Sequence, residues 1–237
     1  MSRRWIVTGG SRGVGLATAQ LAVQKGDRVA VLARNIDDSR LREQLGAHAL
    51  TLAADITDPE QVRSAVERVV GEWGGVDVLV NNAGLHRGRR LHRLELDDWR
   101  AVLDTNLSGP MHCIRACLAH MGEGASIVNI GAVVGIRGFP GDSAYGASKA
   151  GLAGLTQVLA VELAPRNIRV NLVIPGLVIT DMTSQVDDKA LEQLVQRITL
   201  GRAGTEEEIA NVIWWVAGST YMTGAIIPTD GGMLSML

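Results

Sequence analysis

Short runs of β-branched and aliphatic residues alternate with longer helical patterns along the whole chain, and this alternation restricts the fold more than any other feature of the sequence. It is typical of β-α-β units, in which right-handed crossovers connect parallel strands and place helices on both faces of the sheet. The predicted strands lie near residues 5–8, 28–33, 49–53, 76–80, 125–130, 168–174 and 225–228. We therefore expect an α/β protein with a doubly wound parallel sheet in three α/β/α layers, forming a single domain over residues 1–237.

The composition excludes several other classes of protein. The 237 residues include 28 glycines and are 46% hydrophobic and 20% charged; the glycines follow no period, which argues against collagen-like and disordered chains. A formal net charge of -2 provides no positive field for a nucleic-acid backbone. No apolar run reaches the roughly 18 residues that a membrane span requires, so we expect a cytoplasmic protein without a nucleic-acid or membrane partner.

The two cysteines raise the question of a metal site. Cys113 and Cys117 lie four residues apart on a helical stretch, and His120 follows three residues later, so one helix face would offer three soft ligands. No fourth ligand is evident, although structural zinc sites need four. We therefore favour reduced thiols packed on a helix and predict no metal.

Two later segments suggest surfaces that meet a partner or a ligand. Residues 147–163 are small or apolar on nearly every face of a helix, which indicates burial all round and favours a neighbouring subunit. Residues 181–200 contain no predicted strand and are polar at first, then amphipathic. They are interpreted either as a flap over a site or as an ordinary surface helix.

A glycine-rich turn, Thr8-Gly9-Gly10-Ser11-Arg12-Gly13-Val14-Gly15, directly follows the first strand and leads into an apolar helix. Glycines let backbone N–H groups approach a pyrophosphate, and the helix N-terminus carries the partial positive charge that holds it. The spacing Gly-x-x-x-Gly-x-Gly differs from the Gly-x-Gly-x-x-Gly dinucleotide pattern. The turn therefore predicts a dinucleotide site, with an ordinary tight turn as the alternative.

The end of the second strand indicates which dinucleotide binds. A cofactor without a 2′-phosphate usually meets an acidic residue about 20 positions after the glycines, but Ala33 and Arg34 stand there in this chain. Arg34 and Arg12 would offer two guanidinium groups to a 2′-phosphate. This favours NADP(H) over NAD(H), with two solvated surface arginines as the alternative.

Several motifs in a fixed order carry a family resemblance. Tyr145 and Lys149 lie one helical turn apart, a pattern that is common by chance when it stands alone. The chain also contains the glycine-rich turn, Asn81-Asn82-Ala83-Gly84, Asp104-Thr105-Asn106-Leu107-Ser108-Gly109 and Pro175-Gly176-Leu177-Val178-Ile179-Thr180-Asp181-Met182. Together these motifs resemble the short-chain dehydrogenase/reductase family from Trp5 to Met233, and its 3-oxoacyl-[acyl-carrier-protein] reductase group most of all. The resemblance implies a Rossmann-type fold, an NADP(H)-dependent oxidoreductase and a homotetramer.

The resemblance also implies roles for individual residues. Tyr145 would protonate the substrate carbonyl oxygen, Lys149 would bind the nicotinamide ribose and lower the pKa of Tyr145, and Asn106 would anchor a water that passes protons to Lys149. Asp55 would face the adenine amino group. Besides Tyr145 and Lys149, the implied cofactor-binding residues are Gly9, Ser11, Arg12, Gly13, Val14, Gly15, Arg34, Asp55, Ile56, Asn82, Ala83, Gly84, Pro175, Gly176, Val178 and Thr180.

One catalytic position departs from the family pattern. The family places a serine 13 residues before the tyrosine, and Ala132 stands there in this chain. A methyl group cannot donate the hydrogen bond that stabilises developing alkoxide charge, and the loss of one such donor commonly costs roughly 10²- to 10³-fold in rate. Either a parental serine has been replaced to disable the chain, or a natural protein has dropped catalysis. Ser143 is the nearest hydroxyl in the sequence, but we do not expect it to have the same geometry.

Charge near the predicted site bears on the partner. In the carrier-protein reductases, basic residues flank the mouth of the active site, whereas here the turn before the fifth strand is Met121-Gly122-Glu123-Gly124, and Arg166 is the remaining candidate. The basic loop His86–Arg93 would instead bind a phosphopantetheine phosphate or a substrate carboxylate. A solvated loop or an oligomer contact is the alternative.

Three functions remain open from the sequence. The first is an NADPH-dependent ketoreductase of fatty acid or polyketide biosynthesis, which acts on a 3-oxoacyl thioester or a polyketide-like ketone, is impaired by Ala132, and has an acyl carrier protein as a candidate partner. The second is a small-molecule alcohol dehydrogenase. The third is a non-catalytic NADP(H) sensor or scaffold, which Ala132 alone supports and which the joint presence of Tyr145, Lys149 and Asn106 argues against.

Overall fold

The computed structural model describes residues 2–46, 49–179 and 188–235. In these residues seven strands form one sheet with the order β3-β2-β1-β4-β5-β6-β7, and every neighbouring pair is parallel. The strands are β1 (Arg4–Thr8), β2 (Arg28–Ala33), β3 (Ala49–Ala53), β4 (Val76–Asn81), β5 (Met121–Ile130), β6 (Arg169–Pro175) and β7 (Ile226–Thr229). The predicted doubly wound parallel sheet is confirmed.

The fifth strand begins earlier than residue 125, where the sequence pattern places it. Met121 already pairs with Val76, and the register shifts before Val78 pairs with Ser126. The residues between, Gly122 to Gly124, are exposed. Their lack of apolar side chains hides the start of the strand from an analysis based on hydrophobic period.

Helices cover both faces of the sheet. They are α1 (Gly13–Gln24), α2 (Asp38–Leu45), α3 (Pro59–Trp73), α4 (Leu96–Leu103), α5 (Gly109–Cys117), α6 (Ser143–Leu163), α7 (Asp188–Val195) and α8 (Glu206–Gly218). Buried residues of α3, α5 and α6 pack with Ile6 of β1, whereas those of α1, α2 and α8 pack with Trp5 and Val7. This split follows from the alternation of side chains along a strand, and it produces the three predicted layers.

The helices also bear on the predictions for the two cysteines, for the apolar segment 147–163 and for membrane spans. Cys113 and Cys117 are free and buried on α5, and burial raises the pKa of Cys113 to about 12 and that of Cys117 well above its usual value. The helix over residues 147–163 is not buried all round, since Val158 and Val161 of α6 are 55% and 76% exposed in the single chain. Within the described ranges, no helix is long and apolar enough to cross a membrane.

The strand order reverses between β1 and β4, and open α/β sheets bind ligands outside the carboxyl ends of the strands at such a switch point. Two turns meet there. Asn82 Nδ2 donates to Thr8 O at 3.0 Å and Gly9 O at 3.2 Å, and Thr8 Oγ1 accepts from the N–H groups of Asn82 and Ala83, both at 3.1 Å. These bonds fix the glycine-rich turn against the turn that follows β4.

Candidate active site

A cleft of about 1240 Å³ opens at the carboxyl edge of the sheet, over the switch point. It brings together most of the residues that the sequence analysis selects. Those lining it are Gly9, Ser11, Arg12, Gly13, Val14, Arg34, Asp55, Ile56, Asn82, Ala83, Gly84, Ala132, Tyr145, Lys149, Pro175, Gly176 and Val178. Thr180 lies outside the described residues, as does the first part of the predicted flap. Leu194 of α7, within the rest of that segment, lines the cleft.

The glycine-rich turn forms a cradle that only glycine can build. Gly9 has a φ of +64°, and a Cβ there would lie 2.8 Å from Ala83 Cα; Gly13 has a φ of +62°. Gly15 does not line the cleft but lies behind its wall, where a Cβ would be 2.4 Å from both Asn82 Nδ2 and Gly9 O. The structure thus gives Gly15 a packing role, and its predicted cofactor contact stays a prediction. The cradle at the start of α1, whose first turn has no acidic residue, fits a pyrophosphate.

Basic and acidic residues share the end of the cleft beside β2. Arg12 and Arg34 line it as predicted, and Arg40, which the sequence analysis missed, lines it as well. Asp37 is also there, and its side chain caps α2 by accepting from Arg40 N at 3.2 Å. Asp55 Oδ1 accepts from Thr57 N at 2.9 Å and from Thr57 Oγ1 at 2.8 Å. The aspartate therefore presents a fixed carboxylate.

The Tyr–Lys pair lies on the first turns of α6, deep in the cleft. Lys149 is 5% exposed, donates from Nζ to Ile130 O at 2.7 Å, and lies 5.7 Å from the centre of the Tyr145 ring. Burial raises the pKa of Tyr145 to about 12, with Asp142 adding to the rise, and burial lowers the pKa of Lys149 to about 8. In the free protein the net change is upward because desolvation of the phenolate dominates, and the expectation that Lys149 lowers the phenol pKa beside a bound cofactor stays a prediction.

Asn106 lies behind this pair rather than in the cleft. It is fully buried in a π-helical turn, Asp104–Ser108, between α4 and α5. Its Oδ1 accepts from Leu85 N at 2.7 Å, and its Nδ2 donates to Leu85 O at 2.9 Å and to Ser148 Oγ at 3.1 Å. Ser148 Oγ in turn donates to Tyr145 O at 2.7 Å. The asparagine thus ties the β4 turn to α6, and its predicted water-anchoring role stays a prediction.

A second buried polar chain, which the sequence analysis missed, fixes α6 to the sheet. Asn81 Nδ2 donates to Asn129 Oδ1 at 2.9 Å, Asn129 Nδ2 donates to Thr156 Oγ1 at 2.9 Å, and Thr156 Oγ1 donates to Leu152 O at 2.8 Å. Asn129 and Thr156 are fully buried, and Asn81 is 2% exposed. The chain crosses β4, β5 and α6, and so holds the helix that carries Tyr145.

The missing serine has no substitute at the start of α6. Ala132 lines the same cleft as Tyr145. Ser143 instead lines a neighbouring hollow with Gly135 and Ala147, and its buried Oγ has no hydrogen-bond partner among the described residues. This agrees with the expectation that Ser143 does not share the serine geometry.

The basic loop after β4 is held by acidic partners. His86 Nε2 lies 2.8 Å from Asp142 Oδ1, and Arg87 forms an ion pair with Asp98. His86 and Asp142 line the cleft; the sequence analysis named His86 within the basic loop near the site but missed Asp142. The available signals were their places in the chain, two residues after Gly84 and three before Tyr145.

Arg166, the other basic candidate, lies at the edge of the sheet opposite the cleft. Its Nη2 donates to Leu118 O at 2.7 Å and to Met121 O at 2.9 Å, beside the start of β5. Since all strands are parallel, the start of β5 lies at the edge opposite the cleft. Within one chain, Arg166 therefore does not flank the mouth of the site, and a docking role for it stays a prediction.

A parallel sheet with a glycine cradle at its switch point, and a tyrosine and a lysine on one helix beneath it, defines a dinucleotide-dependent oxidoreductase. The family model described as "Enoyl-(Acyl carrier protein) reductase" matches residues 9–234. The chain belongs to the short-chain dehydrogenase/reductase family, whose members bind a nicotinamide cofactor.

Relatives cover the chain almost from end to end. It is 44% identical over 236 residues to carbonyl reductase family member 4 of Danio rerio, across 98% of both chains. It is 42% identical to 3-oxoacyl-[acyl-carrier-protein] reductase FabG of Thermotoga maritima, across 97% of this chain and 96% of the relative. A solved structure of a blue fluorescent protein from a metagenomic library in complex with NADPH is 36% identical with a TM-score of 0.92, across 98% of this chain and 97% of that one.

Proposed function

We propose that the chain is an NADPH-dependent ketoreductase that acts on a 3-oxoacyl thioester or a polyketide-like ketone and that is slowed by Ala132. The observation that carries this proposal is the placement of Tyr145 and Lys149 in one cleft with the glycine cradle. Relatives at about 40% identity include 3-oxoacyl-[acyl-carrier-protein] reductases. The apolar side chains of Phe139, Leu194 and Met233 line the same cleft and suit an acyl chain.

The arginines beside β2 support the preference for NADPH. Arg12, Arg34 and Arg40 line the end of the cleft where the adenosine ribose would lie, and guanidinium groups form charge-assisted hydrogen bonds with phosphate. The NADPH complex of the metagenomic relative is in agreement. Gly9, Gly13 and the start of α1 would hold the pyrophosphate, and Pro175 and Gly176 would lie against the nicotinamide end.

The residues on α6 would perform the proton chemistry. When bound, NADPH supplies a hydride to the carbonyl carbon. Tyr145 donates its phenol proton to the carbonyl oxygen, and the positive charge of Lys149 stabilises the phenolate that results. Lys149 uses one N–H on Ile130 O at 2.7 Å, so the other two are suited to the ribose hydroxyls. The ammonium thus binds the cofactor and lowers the cost of ionising Tyr145.

Ala132 is the specific observation that favours a second function, a non-catalytic NADP(H) sensor or scaffold. The experiment that separates the two compares the unmodified chain with Ala132→Ser. NADPH oxidation is measured on a panel of 3-oxoacyl thioesters and simple ketones. We expect the restored hydroxyl to raise the rate by roughly 10²- to 10³-fold, and the best substrate of the panel to indicate the substrate class.

Two controls make this comparison specific. Ala147→Ser adds a hydroxyl to an exposed position on the same helix and should leave the rate unchanged. Tyr145→Phe in the Ala132→Ser background should abolish the gain. If both Ala132 and Ala132→Ser chains bind NADPH but neither reduces any member of the panel, the ketoreductase function is refuted and the sensor is supported.

The assembly and the carrier belong to the same proposal. A homotetramer of single-domain chains would cover the exposed Val158 and Val161 of α6, which are apolar and lie on one helix. An acyl carrier protein would have to dock without Arg166 of the same chain. Light scattering of the purified protein tests the tetramer, and comparison of carrier-bound with coenzyme A thioesters tests the carrier.

A further inference from the structure

His86 and Asp142 form a polar pair on the wall of the cleft, against the tyrosine. His86 Nε2 lies 2.8 Å from Asp142 Oδ1. The imidazole meets the Tyr145 ring edge-on, with 5.1 Å between the ring centres and an angle of 89° between the planes. All three residues line the cleft, and the His86 and Asp142 side chains are 38% and 21% exposed. The pair therefore borders the space that a substrate must enter to reach the phenol.

The backbone on both sides of this histidine is fixed. Leu85 exchanges two hydrogen bonds with the buried Asn106, at 2.7 and 2.9 Å. Arg89 N donates to Gly141 O at 2.8 Å, which ties the loop after β4 to the residue before Asp142. A side chain on an anchored loop needs little ordering when a ligand binds, which is the condition for preorganised catalysis.

The carboxylate determines which ring nitrogen serves a ligand. Asp142 accepts, so Nε2 carries a proton, and Nδ1 becomes a donor only when the ring is an imidazolium. The hydrogen bond that His86 donates to Asp142 raises the pKa of His86 above its usual value, against the opposing effect of burial. The other charged or titratable groups nearby are Tyr145 and Lys149 on α6, and Arg87 on the same loop, which is paired with Asp98 of α4.

We propose that His86, oriented by Asp142, is a further catalytic residue that donates a hydrogen bond to the substrate carbonyl oxygen beside Tyr145 and so supplies part of the stabilisation that is lost with the missing serine donor. The proposal rests on the ketoreductase function proposed above. During reduction a C–H bond forms at the carbonyl carbon, the C=O π pair moves to oxygen, and the Tyr145 O–H proton passes to that oxygen. The two electrons would come from the bound reduced cofactor as a hydride, whose C–H bond to the cofactor breaks as the new one forms. His86 transfers no proton; its N–H and charge stabilise the oxygen as it becomes negative.

The test compares His86→Gln and Asp142→Asn with the unmodified chain. His92→Gln is the matched control, since His92 is exposed on the same loop and does not line this cleft. With the substrate found for the Ala132→Ser chain, we expect His86→Gln to lower kcat by roughly 10²- to 10³-fold, as for the loss of one oxyanion donor. The NADPH dissociation constant and the melting temperature should not change. His92→Gln should behave as the unmodified chain.

A pH profile separates a catalytic histidine from a structural one. Since the imidazolium is the donor, kcat should fall as pH rises through the His86 pKa. That fall should move to lower pH in Asp142→Asn, where the carboxylate no longer supports the charge, and should be absent in His86→Gln. If His86→Gln fails to fold, the displaced profile of Asp142→Asn decides alone.

Measuring His86→Gln in the Ala132→Ser chain as well separates the role of His86 from the ketoreductase function. In the Ala132→Ser chain a hydroxyl shares the oxygen, so His86→Gln should cost at least tenfold less than it does with Ala132. If the Ala132→Ser chain reduces ketones and His86→Gln changes neither rate nor pH profile in either background, the role of His86 is refuted and the ketoreductase stands. If no chain reduces any ketone while all bind NADPH, the ketoreductase itself is refuted.

Discussion

Removing the hydroxyl of Thr156 tests whether the buried polar chain holds the catalytic helix. Thr156→Val keeps the β-branched shape but removes Oγ1, which accepts from Asn129 Nδ2 at 2.9 Å. The same hydroxyl donates to Leu152 O at 2.8 Å, a carbonyl inside α6. Both Asn129 and Thr156 have no exposed surface. The substitution therefore leaves one amide N–H of Asn129 without a partner in a site that water does not reach.

The expected cost follows from that one orphaned donor. A buried polar group without its partner costs about 1–3 kcal/mol. For a chain of this size, each kcal/mol lowers Tm by about 2–4 °C. We therefore expect Thr156→Val to lower Tm by about 2–12 °C and to shift the urea midpoint without changing the slope of the transition.

Urea and thermal unfolding should be measured at one fixed protein concentration, because assembly changes apparent stability. Thr220→Val is the matched control, since Thr220 is exposed and an exposed substitution should stay within about 0.5 kcal/mol. If Thr156→Val and Thr220→Val unfold alike, the polar chain does not stabilise the fold, and another contact must position α6.

Three further outcomes test the cofactor cradle and the phenol. Arg34→Ala should weaken NADPH binding by about 10- to 100-fold, the loss of one charge-assisted contact, and leave NADH binding almost unchanged; fluorescence titration of both cofactors measures this. Gly15→Ala should destabilise the free protein by about 1–3 kcal/mol, because its Cβ would lie 2.4 Å from Gly9 O, and urea unfolding measures the loss. Ultraviolet difference titration against Tyr145→Phe should place the pKa of Tyr145 near 12 in the free protein and lower with NADP⁺ bound, whereas the fully exposed Tyr221 cancels in the difference.

The sheet could be predicted from the sequence because its signals are local. A strand such as β2 is a continuous apolar run, with Val29 to Leu32 fully buried, and a parallel strand covered on both faces requires nothing else. The cradle is equally local, since the turn, its glycines and α1 are contiguous. β5 shows the limit, because Gly122, Glu123 and Gly124 follow its first residue and carry no apolar period.

The pKa values of the site and the hydrogen bonds between residues distant in the chain could not be predicted in this way. His86 and Asp142 are 56 residues apart in the chain, and their contact exists only because two loops meet above the sheet. The resemblance implies a water-anchoring role for Asn106 but does not give the direction of its amide, whose oxygen accepts from Leu85 N. The pKa of Tyr145 depends on burial, which no pair of neighbouring residues determines.

The buried Lys149 is the residue at which the loss of folding stability caused by the site is best measured. Its pKa is lowered to about 8 by burial, from an ordinary 10.5, which corresponds to a cost on the order of 3 kcal/mol at neutral pH. Lys149→Met removes that cost and also removes the hydrogen bond to Ile130 O, worth about 1 kcal/mol. We therefore expect the free methionine variant to be about 1–2 kcal/mol more stable near neutral pH, and to lose NADPH affinity and turnover.

The sign of the pH dependence makes the argument refutable. Below about pH 8 the lysine is charged in both the folded and the unfolded chain, so the whole cost of burial is present. As pH rises from about 8 to 10.5 the folded protein releases the proton first, the cost declines, and the stability gained by Lys149→Met should shrink with it. Urea unfolding of both chains across this range measures the difference. A methionine variant that is less stable at neutral pH would mean that the ammonium stabilises the free fold. The idea that Lys149 costs the fold stability in order to bind a cofactor would then be refuted.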